Sequence, residues 1–61
     1  MIFNKRQKKD LEKGAGLVNE INYLYSKGEV DKAELLKKQL RKIRSVDLVD
    51  IINRATTLRG I

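Results

Sequence analysis

The sequence predicts an all-α fold: a small bundle of about three helices, a helical hairpin with a third helix across it, led by a basic N-terminal arm. Apolar residues recur at helical spacing along most of the chain, and proline is absent. Gly14, Gly16, Gly28 and Gly60 are the natural breaks. With hydrophobic residues at 41% and charged ones at 36%, the chain is too apolar and too periodic for a disordered tail. Its 61 residues make one domain, read as an arm over residues 1–13 and a helical body over 14–61.

The first helix has a start signal at Asn4, with Gln7 three residues on in the capping-box position. Its apolar stripe begins later, at Leu17, and runs through Val18, Ile21, Leu24 and Tyr25 to a stop at Gly28. Extended backwards, the same face presents Arg6, Asp10 and Lys13, with Leu11 near the stripe. Residues 4–13 therefore cannot be buried against the same core. Either the chain breaks at Gly14-Ala15-Gly16, or the first turns project or fray as the basic arm. Lys5 and Arg6 also stand at the positive end of the helix dipole, a placement that costs a few tenths of a kcal/mol or more. Such a local conflict points to function. Gly14 lies on the apolar face, where a missing side chain lets a second helix approach closely.

The second helix follows "SKGEVDKAE", with Asp31 in its first turn and Ala33, Leu36, Leu40 and Ile43 as its stripe. The stripe then loses phase. Arg44-Ser45-Val46-Asp47 reads as a stop and a new start, with Ser45 as N-cap and Asp47 in the first turn of the third helix. A rival reading keeps residues 30–58 as one bent helix. Leu48, Ile51, Ile52, Ala55 and Leu58 give the last helix a broad apolar face that closes at Gly60. The stretch "SKGEVDKAELL" resembles the turn between paired helices in tetratricopeptide-type repeats, in its Gly-acid pair before a helix carrying Ala and Leu. The likeness covers a small part of the chain and no second copy exists. It implies a helical hairpin and no function.

A chain this short buries about 60% of the surface that it exposes when unfolded, and without cysteine no disulfide can staple it. A homo-oligomer or an obligate partner would supply the missing stability. With neither Cys nor His, the usual zinc sites and thiol or imidazole chemistry are excluded. No cofactor is expected. Gly14-Ala15-Gly16 matches no phosphate-loop pattern. Asp47 and Asp50 are spaced to share a helix side, as acid/base carboxylates would be, and Glu29 with Asp31 reads as a pair of oxygen ligands for a cation, but each pair stands where a helix begins and the dipole accounts for it.

The net charge of +6 favours an acidic partner. The N-terminal residues run straight into Lys5, Arg6, Lys8 and Lys9 with no apolar stretch behind them, so neither a signal peptide nor a membrane span is expected, and a cytoplasmic location is the simplest reading. Membrane binding through an amphipathic face ranks last, because the core needs those faces. The candidate contact residues are Lys5, Arg6, Lys8 and Lys9 of the arm, the exposed ring of Tyr23, and the basic run Lys37, Lys38, Arg41, Lys42 and Arg44. On a helical wheel Lys37, Arg41 and Arg44 share one flank and Lys38 and Lys42 the other. The expected function is a small non-enzymatic binding protein, a regulator, inhibitor or adaptor that meets an acidic surface on a protein partner. The alternative is nonspecific DNA or RNA binding through the arm and the basic face. That alternative lacks a zinc finger, and three aromatic residues make a poor stacking platform.

Overall fold

The computed structural model describes residues 3–58 and has three helices: α1 (Lys5–Ser26), α2 (Val30–Arg41) and α3 (Leu48–Leu58). The all-α class and the three-helix bundle are as the periodicity predicts. The expected stop at Gly60 lies outside the described residues. α1, 22 residues long, would measure about 33 Å at the standard rise. That is close to the molecule's longest dimension of 37 Å, so α1 is the spine. α2 folds back along it and α3 also packs on it. No Cα of α2 comes within 8 Å of one in α3 among the described residues.

Each end of α1 is closed by the chemistry that its sequence carries. The Asn4 side chain accepts from the Gln7 amide at 2.8 Å, and the Gln7 side chain accepts from the Asn4 amide at 2.9 Å, forming the reciprocal capping box. At the other end Gly28 adopts φ 76°, and the amides of Gly28 and Glu29 donate to the carbonyls of Tyr25 and Leu24. That left-handed turn satisfies two orphan carbonyls and reverses the chain into α2.

Two small packed regions lie along the spine. Toward the C-terminal end of α1, Ile21 and Leu24 meet Ala33 of α2, with Leu36 and Leu40 packed against them. Nearer its middle, Ile51 of α3 sits over Gly14. A β-carbon on Gly14 would lie 2.9 to 3.1 Å from three Ile51 side-chain atoms, so the missing side chain admits the close approach that the sequence suggests. Ala15, Ala55 and Val46 are buried too. The molecule is only 15 Å thick in its shortest direction, and Ile51 is the only large side chain less than 2% exposed among the described residues.

The stretch expected as an arm is helical from Lys5, and the expected break at Gly14-Ala15-Gly16 does not occur. α1 runs unbroken through Gly14-Ala15-Gly16. Polar contacts tie its first turns to the rest of the chain: Gln7 Nε2 donates to the Ser45 carbonyl at 3.1 Å, the Ser45 hydroxyl donates to Asp10 at 2.7 Å, and Glu12 pairs with Arg54. Met1 and Ile2 of that stretch lie outside the described residues.

The stop between the second and third helices is real, so the single bent helix is excluded. Ser45 does not cap α3. Its hydroxyl is turned to Asp10, and α3 begins later, with the Asp47 carbonyl accepting from the Ile51 amide. Asp50, not Asp47, stands in the first turn. The polar face of α1 competed for Ser45 and won.

Candidate partner-binding site

Because α2 ends at Arg41, the basic run does not lie along two flanks of one helix: Lys42 and Arg44 line one depression, Lys37 and Arg41 another, and Lys38 neither of the two. Lys42 and Arg44 belong to the connection that leads to α3. There they meet Arg6 and Lys13 of α1 around a cleft of about 570 Å³, whose lining also includes Asp10, Ser45 and Ile43. Arg44 thus lines a different depression from Lys37 and Arg41, its expected neighbours. Four cations face one carboxylate, and that carboxylate accepts from Ser45. None of the four is in a salt bridge among the described residues. Arg6 also stands in the first helical turn, which has no acidic residue to complement the dipole. An anion in the cleft would answer the cations.

Lys37 and Arg41 rim the other depression, a groove of about 380 Å³ lined by Leu40, Ile43, Leu48 and Ile51. Ile43 lines both sites. Lys37 pairs with Glu34 at 3.3 Å, and Glu34 also accepts from the Tyr25 hydroxyl. The Tyr25 hydrogen bond, and then Lys37, hold the Glu34 carboxyl below the usual glutamate value, while Glu34 raises the Lys37 ammonium above its own. Lys38 and Arg41 fall in the last turn of α2, where the dipole favours cations, so part of the basic run has a purely structural reason.

The remaining candidates are dispersed. Lys5 and Lys9 are exposed on α1, and Lys8 borders a depression with Phe3, Leu11 and Arg54. Tyr23 is exposed, but the Lys27 ammonium lies 5.6 Å from its ring centroid. It is also about 25 Å from Arg6 along α1, counting helical rise. Tyr25 stands at the core edge, its ring partly exposed and its hydroxyl bound.

Lys13 is the cleft residue absent from the expected set. Its signal was in the sequence: Arg6, Asp10 and Lys13 continue the core-facing stripe with charge, and the chain facing them proves to be the basic connection.

Among the described residues no group of three or more acidic, His or Cys side chains could hold a metal ion, and no helix is long and apolar enough to cross a membrane. Comparison with protein-family models, with curated proteins and with solved structures finds no match for this chain.

Proposed function

We propose that this is a non-enzymatic binding protein, a regulator or adaptor that engages an acidic surface of a protein partner through the cleft of Arg6, Lys13, Lys42 and Arg44. The observation that carries this reading is the gathering, from separate stretches of chain around one concavity, of four cations that have no salt-bridge partner among the described residues. Cations on a merely solvated face spread out and pair with neighbouring acids, as Lys32 does with Glu29. Carboxylates of a partner would replace water around all four at once and give charge-assisted hydrogen bonds to two guanidinium groups.

A second reading, nonspecific binding to a nucleic-acid backbone, has support from Arg6, Lys9 and Lys13, spaced to follow one side of α1. Against it stands the scarcity of aromatic rings, three in all, for stacking bases. The Lys42→Glu, Arg44→Glu double variant separates these readings. Its helical content should match the parent, because both side chains are exposed. Binding to polyglutamate should fall at least tenfold, and binding to duplex DNA should be weak in parent and variant alike. Tight binding of the parent to DNA of any sequence, with a steep salt dependence, would establish the second reading instead.

A further inference from the structure

We infer that the groove between the end of α2 and the start of α3 receives an acidic amphipathic helix of the partner protein, its aliphatic side chains seated on Leu40, Ile43 and Leu48 and its carboxylates on Lys37 and Arg41. This inference rests on the reading of an acidic protein partner and names the element that it presents. α2 and α3 both pack on α1 and do not approach each other, so a furrow of about 380 Å³ is left between them. Apolar side chains line its walls, and Leu48 remains 55% exposed. On α3 the apolar surface continues past the groove through Ile52. An apolar furrow bounded by two helices is the geometry that takes a third helix by anchors spaced i, i+3, i+4 and i+7.

Charge selects the occupant. The charged groups that line the furrow are Lys37, which pairs with the neighbouring Glu34, and Arg41, which is in no salt bridge among the described residues, so the rim keeps a net positive charge. A second copy of this chain would bring another +6 molecule against that rim, like charge on like. A nucleic-acid backbone would satisfy the rim and leave the aliphatic walls facing water. An acidic helix with an apolar stripe satisfies both.

The test uses two labelled peptides of about 20 residues, roughly 30 Å long as helices. Both are rich in Glu and Leu in identical proportion; one carries Leu in a helical stripe and the other has its order permuted to abolish the stripe. The striped peptide should bind the full chain about tenfold tighter or more, with a negative heat-capacity change from apolar burial. Leu48→Asn should remove that advantage, and so should Lys37→Glu with Arg41→Glu, a rim variant that leaves the apolar walls intact. Leu35→Asn, at an exposed leucine outside the groove, should change nothing. Circular dichroism confirms that each variant is folded. If both peptides bind equally and only Lys42→Glu with Arg44→Glu weakens them, the groove is overturned while the acidic-partner reading survives. If neither binds and duplex DNA does, both fail. Self-association of the parent that Leu48→Asn abolishes would give the groove to a second copy and overturn the inference.

Discussion

Gly14 and Gly16 stand two positions apart on α1 and should answer oppositely to the same substitution. Gly14→Ala gains helix propensity worth about 1 kcal/mol, but brings its methyl within 2.9 to 3.1 Å of three side-chain atoms of Ile51, which is 1% exposed and must shift to admit it. Overpacking costs about 1–3 kcal/mol, so the net change should be destabilising, read as a lower urea midpoint. Gly16→Ala meets nothing within 4 Å and should stabilise by about 0.5–1 kcal/mol. Equal responses would deny the close approach of α3 to Gly14. The sequence made Gly14 legible because its place on the apolar stripe needed only helix geometry. Glu34 was less so: its pairing with Lys37 follows from spacing, whereas the hydrogen bond from Tyr25 depends on how α2 folds back. Since the folded state lowers the Glu34 pKa, the pairing contributes above the unfolded-chain value, about 4.3, and is lost as pH falls through the lower folded value. Carboxyl titration by NMR should place the Glu34 midpoint below the ordinary glutamate range, and Tyr25→Phe should move it upward. An unmoved midpoint in that variant would remove Tyr25 as the main cause.

At the scale of the helix, α1 joins two different kinds of segment. Through Ile21 and Leu24 its stripe packs on α2, and periodicity alone foretold this. Over its first turns the ties are polar ones from Gln7, Asp10 and Glu12, which no periodic pattern announces because their partners lie more than thirty residues away. That is why helix formation at Asn4 could be read and docking could not. Polar ties at a partly exposed site contribute about 0.5–1.5 kcal/mol each, less than buried aliphatic packing. Amides of Lys9–Lys13 should therefore exchange faster than those of Ile21–Leu24, by an opening smaller than global unfolding. Ser45→Ala, which removes the hydrogen bond to Asp10, should speed exchange in the first group and leave the second near its parent rate. Equal acceleration in both would mean that α1 opens as one unit. The division of the basic run was illegible for a related reason. The stripe loses phase after Ile43, and spacing cannot say whether Arg44 follows Arg41 on a helix or turns with Lys42 toward Arg6.

For the whole molecule, small size and high charge act together. Little of a flat chain this short is deeply buried, and a net charge of +6 adds self-repulsion, so stability should be marginal and responsive to anions. An acidic polymer that binds only the folded state stabilises it by RT ln(1 + [L]/Kd), about 2.7 kcal/mol at a hundredfold excess over Kd. For a domain of this size each kcal/mol moves the melting midpoint by about 4–8 °C, so polyglutamate at saturation should raise it by on the order of 10–20 °C. The rise should shrink as salt shortens the screening length from about 10 Å at 0.1 M to about 3 Å at 1 M. In Lys42→Glu with Arg44→Glu most of the rise should disappear, although the variant's lower net charge relieves the self-repulsion. That opposition is what makes the measurement decisive. If stabilisation depended on net charge alone, reversing any two exposed lysines, such as Lys5 and Lys9, would reduce it equally. If it depends on the cleft, only cleft reversals abolish it, and equal losses in the two double variants would reduce the gathered cations to general surface charge.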